Sequence, residues 1–268
     1  MAKVKGILLQ HVPQLPVIDI SHQVPAFHLQ QAAYLLYAAY RHFPPGSCHL
    51  PLIELFREQP TGIIVAAYEG HYFLAPDNGL LSLAFGERLK EVWALPADDE
   101  AASLAAWMHQ AAGLIRQLQS QDIQHLSLIP CKIKEAGRHW MPQYDAERDS
   151  VECHVMHVDN FGNVVLNLDQ ESFEKYAAGR SFYIQLLRDE VINHFSQHYH
   201  QVAPGQKLCR FNSAGFLEIA INRGSAAKLF GLKVYSEKQL MYNHIRVCFG
   251  EPPASRILRA QLETFHQL

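Results

Sequence analysis

The run His157-Val158-Asp159-Asn160-Phe161-Gly162-Asn163 brings together side chains able to recognise a charged nucleoside. An ionised Asp159 can hold an ammonium group, Phe161 can stack on a purine, and the Asn163 amide can pair with that ring's polar edge. The same residues also spell a β-turn, and taken alone the turn is the plainer reading. A second run, Phe211 to Ala220, joins a small-residue turn holding Ser213 to an apolar stretch. Strand alternation puts Phe216, Glu218 and Ala220 on one face. If that face is buried, Glu218 requires a cation or a hydrogen-bond donor; if it is exposed, it requires neither. Asn78 lies in the loop Pro76-Asp77-Asn78-Gly79, directly after an apolar stretch. Ligands of open α/β sheets bind at such loops, although these four residues make a type I turn unaided. His194, His198 and His200 have a spacing that a metal could use. Their stretch is polar and no cluster of cysteines or carboxylates flanks it, so a solvated segment and no metal are expected. The chain contains no G-x-G-x-x-G, P-loop, G-x-S-x-G or H-E-x-x-H, which disfavours dinucleotide-dependent and P-loop enzymes.

Ordered elements must hold these residues. Val17 to Ile20 reads as a short buried strand. Phe27 to His42 reads as a helix, with Leu29, Ala32, Ala33, Leu35, Leu36 and Ala39 at helical spacing and Pro44-Pro45-Gly46 stopping it. Cys48 to Ile53 is strand-like. Gly62 to Tyr68 and His71 to Leu74 predict a hairpin turning at Glu69-Gly70. Leu80 to Phe85 starts a short helix and Val92 to Leu95 is a further strand. Asp98 to Leu118 is a long helix opened by acidic residues, which its dipole favours. Strands alternating with helices predict an α/β N-terminal domain over 1–135. Polar residues from Lys132 to Asp149 mark a linker, set at 136–150. Over 151–268 come short strands at Cys153–Val158, Asn163–Leu168, Ser181–Leu186, Lys207–Asn212, Phe216–Ile221 and Ile245–Phe249. Such strands, separated by turn residues, predict an all-β, barrel-like C-terminal domain.

With 49% hydrophobic and 18% charged residues among 268, the chain has the balance of a globular protein of one or two domains. A net charge of −3 without a basic stripe argues against a nucleic-acid partner. No apolar run approaches the roughly 20 residues that span a bilayer, so no membrane partner is expected. Cys48, Cys131, Cys153, Cys209 and Cys248 are odd in number, form no C-x-x-C and follow no signal peptide. A cytoplasmic protein with reduced thiols is expected.

The order of the blocks is more specific than any one of them. The run KGILLQHVPQLPVIDISHQVPAFHLQQAAYLLYAAYRHFPPGSCHL, then GHYFLAPDNGLLSLAF, HVDNFGNVVLNL and FNSAGFLEIAINRGSAAKLFGL, resembles the S-adenosylmethionine hydroxide adenosyltransferases, relatives of the fluorinase and chlorinase enzymes. The similarity covers most of residues 4–232. It implies an α/β domain followed by a β-barrel, in a homotrimer whose ligand lies between one subunit's N-terminal domain and its neighbour's C-terminal domain. It also implies conversion of S-adenosyl-L-methionine and water to adenosine and L-methionine, with no cofactor. By this resemblance, Asp159 faces the methionine amino group, Phe161 and Asn163 contact adenine, Ser213 and Glu218 hold the amino-acid end, and Asn78 lines the nucleoside side.

The front half departs from the family pattern. Where relatives read Asp-Pro-Gly-Val-Gly and then Arg, this chain reads Glu54 to Thr61, so Glu54 replaces the Asp and Thr61 the Arg, with Arg57 nearby. Pro96-Ala97-Asp98-Asp99-Glu100 stands in place of a His-Gly-Arg-Asp segment. Relatives also open with a strand and a Thr-Asp-Phe-Gly-like run whose Asp grips the ribose. This chain begins at about the next helix, so either it is natively shortened, leaving that strand's neighbours to find other backbone partners, or its natural start lies further upstream. The expected activity is therefore weak hydrolysis with altered catalytic residues Glu54 and Thr61. The alternative is a non-catalytic relative that binds an adenosine-like ligand or serves as an interaction or scaffold protein. A halogenase is disfavoured, because the tight Glu69-Gly70 turn leaves no room for the fluorinase insertion.

Overall fold

The computed structural model describes residues 1–56, 62–95, 103–137, 141–186, 190–234 and 244–252. The chain forms two compact units, residues 1–136 and 137–268.

The first unit contains helices α1 (Ala2–His11), α2 (Leu29–Tyr40), α3 (Leu80–Phe85) and α4 (Leu104–Leu118). Its strands are β1 (Cys48–His49), β2 (Ile63–Tyr68), β3 (His71–Pro76), β4 (Glu91–Leu95) and β5 (Ile129–Pro130). They pair in the order β1-β3-β2-β4-β5; β1 runs parallel to β3, and the other neighbours are antiparallel. The near-continuous apolar run of β2 follows from burial on both faces. Ile63 and Val65 pack with Ile7 of α1 and Trp107 and Met108 of α4, while Ile64 and Ala66 pack with Leu36 and Tyr40 of α2 and Leu80 of α3.

Tyr68 pairs with His71, so Glu69 and Gly70 make a two-residue turn, with φ of 48° and 79°. Left-handed dihedrals at both positions match the twist of a tight hairpin. Glu69 lacks glycine's freedom, yet its carboxylate accepts hydrogen bonds from Tyr40 Oη and from Nε and Nη2 of Arg41, each at 2.9 Å. The turn is thereby tied to the end of α2.

Several expectations are corrected here. Val17 to Ile20 is not a buried strand: it has no ladder partner among the described residues, and Ile18 is 64% exposed. Strand propensity is expressed only beside a pairing partner. Charge holds this segment instead, with Asp19 bonded to Lys5 Nζ at 2.6 Å and to His22 Nε2 at 3.2 Å. The strand expected over Cys48–Ile53 ends at His49, shortly before Pro51, which has no N–H to give a ladder. Helix α4 starts at Leu104 rather than Asp98, because Ser103 Oγ caps it by accepting from Ala106 N at 3.2 Å. Asp98 and its acidic neighbours lie outside the described residues.

The second unit has strands β6 (Gln143–Asp145), β7 (Ser150–Val158), β8 (Val164–Asp169), β9 (Phe182–Gln185), β10 (Val191–Ile192), β11 (Lys207–Phe211), β12 (Phe216–Ile221) and β13 (His244–Phe249). Two short helices join them, α5 (Gln170–Ala177) and α6 (Ala226–Phe230). The antiparallel order is β10-β9-β13-β7-β8-β12-β11, with β6 on β7. A bridge between Phe195 and Cys209, with Ser196 N donating to Cys209 O at 2.9 Å, brings the chain after β10 against β11. The sheet therefore curls into a nearly closed barrel, which leaves little free edge. Alternate residues fill it: Val151, Cys153 and Val155; Val164, Leu166 and Leu168; Leu217, Ile219 and Ile221; Ile245, Val247 and Phe249. Within the stretch expected as a linker, β6 pairs with β7 through a turn in which Asp145 Oδ1 accepts from Glu147 N and Arg148 N. Among the described residues no helix is long and apolar enough to cross a membrane.

The first unit also buries a histidine pair. His49 Nε2 lies 3.3 Å from His71 Nδ1, His49 stacks on Phe73 at 5.0 Å, and Tyr40 sets its ring edge-on to both. Burial lowers both imidazole pKa values, that of His49 to about 4 with help from His71; Glu69 partly opposes the shift at His71. A base whose folded pKa is depressed stabilises the fold above its unfolded pKa and loses that contribution as pH falls. Between pH 6.5 and 5, His49 is expected to remove roughly 2 kcal/mol of stability. Thermal unfolding of His49→Phe should show a flatter pH profile over that range, and a profile identical to wild type would remove His49 as its source.

Candidate functional site

The connection between β7 and β8 is a tightly closed loop. Asp159 N donates to Asn163 O at 3.1 Å, and Gly162 N donates to Asp159 O at 3.0 Å. The Asp159 side chain then folds back. Oδ1 accepts from Phe161 N and Asn163 N, each at 2.9 Å, and Oδ2 accepts from Asn163 Nδ2 at 2.9 Å. A carboxylate offers about four acceptor positions, so these bonds fix its orientation and leave capacity on Oδ2. Phe161 projects from the loop and is 79% exposed, whereas Asn163 is buried beneath it. Gly162 has φ of 81°, and a Cβ there would lie 2.0 Å from Ser225 Oγ. The loop thus rests on the residue that caps α6, and only glycine allows that approach.

Glu218 is buried on β12, beside Val165 on one side and Arg210 on the other. Alternation sends Leu217 and Ile219 into the barrel and Glu218 to the opposite face. Tyr199 covers that face. Its hydroxyl donates to Glu218 Oε1 at 2.7 Å and accepts from Asn163 Nδ2 at 3.3 Å. The Arg210 guanidinium lies 5.4 Å from the centre of the Tyr199 ring. Burial raises the Glu218 pKa, while the Tyr199 hydrogen bond, the Arg210 charge and the Asn212 amide draw it back. Burial and the bond to Glu218 push the Tyr199 phenol up to about 12. Asp159, Asn163, Tyr199 and Glu218 therefore form one continuous polar network with Phe161 at its rim. A cavity of about 300 Å³ lies against Arg210, with Phe173, Phe195 and Phe211 in its wall.

Ser213 lies outside this network. It is exposed at the tip of the β11–β12 hairpin, where Asn212 Oδ1 accepts from Ala214 N and Phe216 N at 3.0 and 3.1 Å. In the first unit, the Asn78 amide serves the backbone: Nδ2 donates to Ile53 O at 2.8 Å and Oδ1 accepts from Leu80 N at 3.1 Å. This places Asn78 against the residue preceding Glu54, which takes a left-handed φ of 49°. Thr61, Arg57 and Pro96 to Glu100 lie outside the described residues. His198 and His200 stack with ring centroids 5.3 Å apart, and His194 contacts Asn193. Among the described residues no group of three or more His, Cys, Asp or Glu side chains is arranged to hold a metal.

Sequence reasoning missed Tyr199 and Arg210. For Arg210 a signal existed, because hairpin pairing across the Asn212–Gly215 turn sets it opposite Glu218. Tyr199 arrives from an irregular segment with no periodic pattern to place it.

Residues 1–123 match the SAM hydroxide adenosyltransferase N-terminal domain, and residues 153–239 match the corresponding C-terminal domain. An (R)-S-adenosyl-L-methionine hydrolase of Methanocaldococcus jannaschii is 25% identical over 255 residues, covering 90% of this chain and 88% of that protein. The enzyme of the same name from Thermus thermophilus is 27% identical over 250 residues, covering 87% and 91%. A fluorinase of Nocardia brasiliensis is 22% identical over 274 residues, covering 87% and 89%. A conserved protein of Thermotoga maritima of known structure shares the fold, with a TM-score of 0.70 at 23% identity, covering 92% of this chain and 94% of that one.

The close approach of Gly162 to Ser225 can be tested by substitution. Gly162→Ala is expected to destabilise the protein by about 2–4 kcal/mol, since it combines a left-handed φ with a clash. Gly179→Ala, with a similar φ of 77° but open space around it, should cost about 1 kcal/mol. Equal midpoints in urea for the two variants would show that the contact with Ser225 carries no weight.

Proposed function

The chain belongs to the SAM hydroxide adenosyltransferase family, and from that premise we propose that it binds S-adenosyl-L-methionine and hydrolyses it slowly to adenosine and L-methionine. The observation that carries this reading is the Asp159 carboxylate, fixed by Phe161 N, Asn163 N and Asn163 Nδ2, with the exposed Phe161 ring beside it. A preoriented carboxylate suits the ammonium of the methionyl group, and a projecting aromatic suits a purine. The relatives named as hydrolases of this substrate support the same assignment.

In the reaction, a water oxygen bonds to C5′ as the C5′–S bond breaks. The bonding electron pair passes to sulfur, the sulfonium becomes the neutral thioether of methionine, and the proton lost by water passes to a carboxylate or to solvent. The leaving group is already good, so the protein must align the water and strip its hydration. Glu54 supplies the carboxylate on the water side. Thr61, standing where relatives carry an arginine, supplies no cation to favour hydroxide, which is the reason for slow turnover. The same substitution favours a second reading, a non-catalytic relative that retains an adenosine-like ligand or serves as a scaffold. The working form is a homotrimer. Five cysteines without a disulfide among them suit a cytoplasmic setting.

Chromatographic assay of adenosine released from S-adenosyl-L-methionine is expected to give a rate about 10²–10⁴-fold below that of a fully competent relative. Turnover equal to such a relative would refute the claim of altered catalysis, and adenosine binding without turnover would favour the second reading. Asp159→Asn should weaken S-adenosyl-L-methionine by at least about 10-fold and adenosine by less, because only the former carries the ammonium. Equal losses in calorimetry would count against that contact. Light scattering of the intact protein should report a trimer.

A further inference from the structure

We infer that Tyr199 is a positioning residue that sets the selectivity of this site by holding the Asn163 amide in one orientation. The inference rests on the reading that the site binds a nucleoside.

Hydrogen-bond direction around Asn163 is fixed by chemistry rather than by atom labels. Asp159 Oδ2 lies 2.9 Å away, and an ionised carboxylate only accepts, so the Asn163 atom facing it is the amide nitrogen. The second hydrogen of Nδ2 points to Tyr199 Oη at 3.3 Å. That oxygen is available as an acceptor because its own proton is committed to Glu218 Oε1 at 2.7 Å. Polarity therefore runs one way, from Asn163 to Tyr199 to Glu218, and from Asn163 to Asp159. Arg210, over the Tyr199 ring at 5.4 Å, keeps that ring in place and complements the carboxylate.

Both hydrogens of Nδ2 are thus committed. Asn163 Oδ1 has no hydrogen-bond partner among the described residues. The site presents an acceptor at this point and not a donor. A ligand edge that brings an N–H group is matched there, and one that brings a carbonyl leaves two acceptors facing each other, which costs the full desolvation of both. Tyr199 touches no ligand in this scheme. It removes the rotational freedom of Asn163, and Glu218 removes the alternative direction of the phenol proton.

Adenosine and 6-methoxypurine riboside differ at this edge by an amino group against an ether oxygen, with N1 an acceptor in both, and serve as probes. Calorimetry with the intact protein should show a preference for adenosine of at least about 10-fold. Tyr199→Phe keeps the ring and its packing on Arg210 but loses the hydroxyl. It should reduce that preference by about 5-fold or more, and because buried Glu218 loses its donor the unliganded melting temperature should fall as well. Glu218→Gln leaves the phenol and removes the carboxylate that fixes its proton, and should shift the preference in the same direction. A packing role alone would lower both affinities together and leave their ratio untouched. An unchanged ratio in both variants, with wild type binding adenosine, overturns the inference. Wild type binding neither nucleoside overturns the parent reading instead.

Discussion

The carboxylate of Asp159 organises this part of the molecule. Three N–H donors converge on it from a loop of only a few residues, and each of those groups would otherwise need water. Because the donors belong to the loop itself, the carboxylate and the backbone hold one another. That mutual constraint explains why the loop tolerates an exposed aromatic at its crest and a glycine pressed against Ser225. A register shift between Val155 and His157 occurs just before the loop, and another between Phe216 and Glu218 interrupts β12 beside it. Extra residues at such positions bend a strand and re-aim the side chain that follows. Here both irregularities adjoin the polar network.

Burying Glu218 would be costly without partners. The barrel meets that cost with a phenol from the irregular segment before β11 and with a guanidinium and an amide from the end of β11, Arg210 and Asn212. None of these partners lies inside the apolar core, which is filled by the opposite faces of the same strands. The two faces of β12 thus divide the labour: Leu217, Ile219 and Ile221 close the barrel, and Glu218 on the opposite face joins the polar network.

The first unit shows how far local pattern reaches. The β2–β3 hairpin, the short helix α3 and the long helix α4 were legible because each is specified by neighbours in sequence: a two-residue turn, a helical repeat, a stop signal. Val17 to Ile20 was misread because its apolar, β-branched residues are strand-like only in company, and no described strand pairs with them. The N-terminal limit of α4 was misread for a simpler reason: acidic residues favour a helix start, but the Ser103 hydroxyl, with its bond to Ala106 N, sets the boundary.

For the candidate site the division is similar. Sequence alone determined the loop Asp159 to Asn163, its turn chemistry, the alternation that isolates Glu218 from the core, and, through the order of four blocks, the family. These depend on residues close in the chain or on a long matched pattern. Only the tertiary structure decided that Glu218 is buried, that Tyr199 joins it to Asn163, that Ser213 stands apart at a hairpin tip, and that Asn78 serves the backbone around Ile53. The reason is physical: a hydrogen bond between distant segments leaves no period or spacing in the sequence, because its partners are selected by the three-dimensional path of the chain.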